Sequence, residues 1–180
     1  MMEPTPTAPA SGLVYADVPN RVIAFIIDAI VIAVIMVFVT IILGAIGLAA
    51  GMFGSGSGTF AGSIVYAIVS TLIGAAYFIY TWTSMRATVG MRALGMQIGN
   101  AADGATLTQD QAIRRYLALA APGIVGSALS GLPVIGWLLS LVSLAWVIYL
   151  LYTTAQSPTK QGFHDVFAQT MVVKAARNVG

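Results

Sequence analysis

From Val22 to Phe53 the chain runs 32 residues with one charged side chain, Asp28. About 20 apolar residues at a rise of 1.5 Å each cross the ~30 Å hydrocarbon core of a bilayer, so such a run reads as a transmembrane helix. Two further runs follow, Phe60 to Thr83 and Tyr116 to Tyr152. The last is 37 residues, too long for one straight span, and Gly131-Leu132-Pro133 marks a turn inside it. Composition agrees: 58% of residues are hydrophobic and 8% are charged, against about 25% charged in ordinary soluble domains. Lipid is the solvent that such a surface requires.

These runs predict an all-α integral membrane protein. Its fold class is a four-transmembrane-helix bundle with both termini cytoplasmic and a short cytoplasmic loop between helices two and three. The expected helices are about 20–50, 60–83, 109–130 and 134–153, within a domain of residues 13–174. Pro122 is expected to kink the third, because proline removes a backbone donor and clashes with the preceding turn. A single kinked span over residues 116–152 is the alternative. Residues 1–12 read as a disordered tail, 51–58 (GMFGSGSG) as a flexible loop and 175–180 as a C-terminal tail. Residues 1–19 hold no Lys or Arg, and the run after Arg21 exceeds a signal-peptide core, so no cleavable signal is expected.

Basic residues set the orientation. Arg21 precedes the first run; Arg86, Arg92, Arg114 and Arg115 lie between the second and third; Lys160, Lys174 and Arg177 follow the fourth. With four spans all eight fall on one side, the cytoplasmic one by the positive-inside rule. Tyr77, Tyr80, Trp82, Tyr116, Tyr149 and Tyr152 fall at that boundary and read as headgroup-level anchors, with Trp137 at the outer face.

The absence of cysteine excludes disulfides and thiolate chemistry. No phosphate loop, dinucleotide fingerprint or haem motif is present, so no cofactor is expected. A net charge of +2 built from so few residues does not imply nucleic-acid binding. His164-Asp165 is the one catalytic-looking pair, but no Gly-x-Ser-x-Gly elbow accompanies it, and an enzyme is not expected. A lone histidine is also a poor metal site. Hydrogen bonding that docks the tail on the cytoplasmic loop is the expected role of this pair.

Asp28 is the only acid within an apolar run. A charged side chain at the bilayer centre costs about 2.5–3.5 kcal/mol on insertion scales, so it demands a partner or a function. Two readings stand: a proton- or cation-binding carboxylate, or a structural ion pair with Arg21, two turns earlier on the same face, or with Arg114 or Arg115. Those two arginines read either as headgroup anchors or as inward-turned partners of Asp28. Thr108 to Gln111 (TQDQ) is a capping box opening helix three, with Asp110 four residues before Arg114. Met96–Ile98 and Thr170–Val173 have strand character and are placed to pair.

Several of these segments resemble the RDD family of membrane proteins: Asn20–Asp28 (NRVIAFIID), Thr88–Gly95 (TVGMRALG), Asp103-Gly104, Arg114 or Arg115, and His164–Thr170 (HDVFAQT) followed by Val172-Val173. Thr88, Gly90, Arg92, His164 and Asp165 form its cytoplasmic motif. The family is named for one arginine and two aspartates; Arg21 and Asp28 match the first two, and Asp165 the third, with Asp103 as the other candidate. Met91-Arg92 departs from the pattern, in which lysine often follows the glycine. The resemblance implies a small bacterial cytoplasmic-membrane protein, a family often linked to transport and in some members to sodium/proton antiport. The leading expectation is therefore a small cation/proton exchanger using Asp28, with sodium ions or protons as partners and a path at a homo-oligomer interface. The alternative is a non-transporting membrane scaffold, or an assembly or stress factor, whose Asp–Arg pairs are structural.

Overall fold

The computed structural model describes residues 13–45 and 60–175. The expected disordered tail, the 51–58 loop and the tail beyond 175 lie outside these residues. The elements, in order, are β1 (Leu13–Tyr15), α1 (Val18–Ala45), α2 (Phe60–Ser84), α3 (Val89–Ala93), β2 (Met96–Asn100), α4 (Gln109–Ala128), α5 (Pro133–Gln156), α6 (Phe163–Phe167) and β3 (Thr170–Ala175).

The chain is mostly helical but not all-α. The two segments of strand character do pair, antiparallel, from Met96↔Lys174 to Asn100↔Thr170. A third strand, β1, joins the other edge of β3 from Leu13↔Ala175 to Tyr15↔Val173. The sheet order is β1-β3-β2. Three residues without a turn signal gave β1 no local signature; it is a strand because β3 offers it an edge. The stretch between α2 and α4 is therefore more than a loop, since it carries α3 and β2.

The local signals for helix ends act as expected. Thr108 accepts from Gln111 N–H, and Gln111 Oε1 accepts from Thr108 N–H, closing the capping box of α4. Asp110 and Arg114 pair at 2.5 Å one turn apart on the exposed side. Pro133 sits in the first turn of α5, where its missing donor costs nothing. Gly104 takes the left-handed φ of 71° that the Asp103-Gly104 turn needs.

Three helices have the length and apolarity to cross a membrane, over Val18–Val39, Gly62–Ser84 and Pro133–Gln156. Helix α4 does not meet that measure, because Gln109, Asp110, Gln111, Arg114 and Arg115 fill its first two turns. It nevertheless runs antiparallel beside nearly all of α2. Arg115 stacks on Trp82 with its guanidinium carbon 5.3 Å from the ring, Tyr116 donates to Thr71 O at 3.0 Å, and Ser63 donates to Ala128 O at 2.8 Å.

The core sits at the sheet end. Ala16, Ala24, Trp82, Met91, Met96, Ile98, Leu107, Ala112, Tyr116 and Val172 pack there, while beyond Asp28 α1 has no buried side chain among those described. Trp82 and Tyr116, expected at headgroup level, are core residues instead. Their rings pack around Phe78, with centroids at 5.2 Å and 6.2 Å. Tyr80, Tyr149, Tyr152 and Trp137 remain exposed on the helix surfaces.

Candidate functional site

Asp28 is 3% exposed and, among the described residues, is met by no arginine. Its Oδ1 accepts from Tyr77 O–H at 2.6 Å and from Gly90 N–H at 2.8 Å, and its Oδ2 from Thr88 Oγ1–H at 2.6 Å. The expected pairing with Arg21, Arg114 or Arg115 is thereby corrected. Arg21 lies two turns nearer the helix start, about 10 Å along the axis, and reaches across to another element. A carboxylate's charge can be answered by hydrogen bonds as well as by a cation.

These donors belong to one device. The first three N–H groups of α3 have no partner inside their own helix. Val89 N–H donates to Tyr77 Oη at 3.1 Å, Gly90 N–H to Asp28, and Met91 N–H to Thr88 Oγ1 at 3.1 Å. Tyr77, read from sequence as a headgroup anchor, thus links Asp28 to α3. Gly90 lets α3 press on α1: a Cβ there would stand 2.0 Å from Ala24 O. Arg92, on the same short helix, is exposed.

The second cluster centres on Asp165, which is fully buried. Arg21 Nη1 donates to its Oδ2 at 2.7 Å, Arg115 Nη1 to its Oδ1, and Gly162 N–H to Oδ2 at 3.0 Å. Arg115 Nη1 also donates to Thr170 Oγ1 at 2.6 Å, and Arg21 Nε to Ala16 O at 3.0 Å. One carboxylate therefore ties α1, α4 and α6 together. Asp165 docks the tail on α1 and α4 rather than on the α2–α4 connection, while His164 Nδ1 is buried without a hydrogen-bond partner among the described residues. Arg114 points outward to Asp110, and Asp103 only caps Ala105 N–H in an exposed turn. The arginine and two aspartates thus split into two networks, Asp28 in one and Arg21 with Asp165 in the other.

Burial by itself raises the pKa of Asp165, but the guanidiniums of Arg115 and Arg21, with His164, hold it well below the usual carboxylate range. Burial also pushes His164 down, to about 4. Its Nε2 lies 3.4 Å from Asp165 Oδ2, which favours the protonated ring, but Arg115 and Arg21 oppose that charge. His164 is therefore neutral near pH 7, and the 3.4 Å approach is no ion pair there. The linkage sign follows: unfolding raises the pKa from about 4 to 6.5, so the unfolded chain binds more protons below pH 6.5 and stability falls there. Thermal melts in detergent are expected to lose up to about 1.4 kcal/mol per pH unit as pH falls from 6.5 toward 4.5. His164→Gln should flatten that slope; an unchanged slope would assign it to other groups.

Two contacts had no sequence signal: the seat of Arg115 on Trp82, and the bond from Gln111 Nε2 to Gln169 O at 3.1 Å. A cavity of about 240 Å³ between α4 and α5 is lined by glycines and serines, among them Gly126, Ser127, Ser140 and Ser143, and, among the described residues, by no ionisable one. Among the described residues no group of three or more His, Cys, Asp or Glu is placed to hold a metal ion.

Apolar helices gathered at one end by two buried carboxylate networks and a three-stranded sheet define a membrane-type protein. The RDD family matches residues 15–169, and the chain belongs to that family. Comparison with curated proteins and with solved structures returned no match.

Proposed function

We propose that this RDD protein is a non-transporting membrane scaffold whose buried carboxylates lock its helices to a cytoplasmic sheet module. The observation that carries this reading is the state of Asp28, which is buried and has both oxygens occupied by Tyr77, Thr88 and Gly90. A carboxylate that loads and releases an ion needs a wet path and room at its oxygens. Here three donors take three of the roughly four acceptor sites of Asp28, and those donors also seat α3.

The proposed topology is four spans in a bacterial cytoplasmic membrane, with the sheet inside. Strand pairing supports it: β1 precedes the first span and β3 follows the last, yet they are hydrogen-bonded neighbours, so the chain crosses an even number of times. With α1, α2 and α5 as spans, α4 supplies the fourth, and its antiparallel run beside α2 fits that role. Arg86, Arg92, Arg114, Arg115, Lys160 and Lys174 then share the cytoplasmic side.

The second reading is cation/proton exchange, favoured by the place of Asp28 midway along the 22-residue apolar stretch Val18–Val39. Four helices enclose little volume, so that reading puts the path between copies of a homo-oligomer. Neither reading includes a catalytic step. Proteoliposomes separate them. The scaffold predicts no sodium-coupled pH change in wild-type vesicles, and loss of the folded species by size exclusion for Asp28→Asn, whose amide cannot accept all three donors. A sodium-coupled pH change that Asp28→Asn abolishes while the protein stays folded and monodisperse overturns the scaffold.

A further inference from the structure

The short helix α6 has a wholly apolar outer face. Phe163, Val166 and Phe167 are 39%, 55% and 52% exposed, whereas His164, Asp165 and Ala168 turn inward. Spacings of three and four place the exposed side chains together on one side of the helix. Its only carboxylate faces the interior.

Helix α6 does not hang below the spans. After α5 ends at Gln156 the chain turns and comes back alongside it. Phe163 N–H donates to Thr153 Oγ1 at 3.1 Å, and a Cβ on Gly162 would meet Thr154 Oγ1 at 2.3 Å and Leu150 O at 3.0 Å. Leu150 lies six residues before the end of α5, about 9 Å up its axis. The Phe163 ring reaches further, with centroids 5.6 Å from Trp146 and 6.1 Å from Tyr149, and Phe167 stacks on it at 6.0 Å. The exposed apolar surface of α5, including Ile148, Tyr149 and Tyr152, joins α6 where the exposed Tyr149 and Phe163 rings meet.

We propose that α6 lies in the bilayer, at the boundary of headgroups and acyl chains in the leaflet where α5 ends, with Phe163, Val166 and Phe167 in lipid. Continuity with the lipid-facing side of α5 selects the bilayer as the occupant of this surface. An amphipathic helix in that plane buries its apolar face while its other face stays polar, and the aromatic residues of α5 stand at the level where such belts form. The one carboxylate on the inward side of α6, Asp165, is satisfied within the protein by Arg21 and Arg115. The leaflet then seals that cluster from water on its outer side. The proposal rests on α5 being a span, and not on the choice between scaffold and exchanger.

The absence of cysteine makes the test direct. Single nitroxide labels are placed at Val166→Cys and Phe167→Cys, with Ile148→Cys on α5 as lipid reference and Asp103→Cys in the exposed turn as aqueous reference. The full chain is reconstituted in phosphatidylethanolamine/phosphatidylglycerol vesicles, and collision with oxygen and with a neutral nickel chelate is measured. Labels at 166 and 167 are expected to shift from the nickel-favoured ratio of the turn to the oxygen-favoured ratio of Ile148→Cys. Nickel-favoured values at both positions overturn the proposal. Exclusion of both reagents with dipolar broadening also overturns it, because a second copy then covers the face. A photoactivatable phospholipid applied to the unsubstituted chain is expected to tag the peptide containing Phe163–Phe167, and no tagging there counts against the proposal without relying on any variant.

Discussion

Replacing Asp165 with alanine is expected to lower stability by about 3–5 kcal/mol, enough to prevent accumulation of folded protein in the membrane. Arg115 is 5% exposed and Arg21 is largely buried beside it, and both draw their opposing charge from this one carboxylate. Removing it leaves two guanidiniums with no anion and little water. Already Arg21 Nη2 and Arg115 Nε have no hydrogen-bond partner among the described residues, which offer the cluster no spare acceptor to take over. The measurement is the melting temperature in detergent, with membrane yield as a second readout. The exposed pair Arg114–Asp110 supplies the contrast: Asp110→Ala is expected to change stability by less than about 1 kcal/mol, because solvent already screens both charges. Pairing Asp165→Ala with Arg115→Met should recover part of the loss, since an apolar replacement leaves fewer buried charges unanswered. Equal melting of Asp165→Ala and wild type would falsify the assignment of Asp165 as the tie between α1, α4 and α6.

The second large effect is expected at Gly90. A methyl group there would enter the space of Ala24 O, 2.0 Å away, and the obstacle is backbone on a 28-residue helix that cannot yield. Helix α3 must lift, which strains the packing by roughly 1–3 kcal/mol. Lifting also removes the bond from Gly90 N–H to Asp28, a charge-assisted bond of about 1.5–3 kcal/mol. Gly90→Ala is therefore expected to cost about 2.5–6 kcal/mol in total. Gly123, in the middle of α4, meets no atom within 4 Å of an added Cβ. Gly123→Ala is expected to be neutral or to stabilise by up to about 1 kcal/mol through helix propensity. A thermal melt of the two variants side by side tests the close approach, and equal melting temperatures would refute it.

Both predictions concern residues that could be picked out without coordinates, yet neither geometry could be. The apolar runs, the break at Gly131–Pro133, the capping box at Thr108 and the strand character of β2 and β3 depend on neighbours a few residues apart. A reading along the chain reaches such features. Asp28, Arg21 and Arg115 stood out for the same reason, as ionisable residues inside or beside apolar segments, and Asp165 through its histidine neighbour and the family resemblance. What did not follow was who meets whom. Asp28 and Arg21 share a helix face two turns apart, and that periodicity suggested a pair. The structure instead brings Asp165 to Arg21 across 144 positions of sequence and Tyr77 to Asp28 across 49. Tyr77, Trp82 and Tyr116 looked like lipid anchors because position along a span says how deep a ring lies, but not which way it faces.

The order of apolar and polar residues thus determined the apolar helices and their breaks, because burial in lipid is decided segment by segment from composition alone. Only the tertiary structure decided that the acid in the first span is held by neutral donors, that the arginines converge on the tail, and that three short strands form one sheet. Those outcomes depend on distances between elements remote in sequence, and a hydrogen bond or ion pair is made or lost within an ångström that no linear pattern encodes.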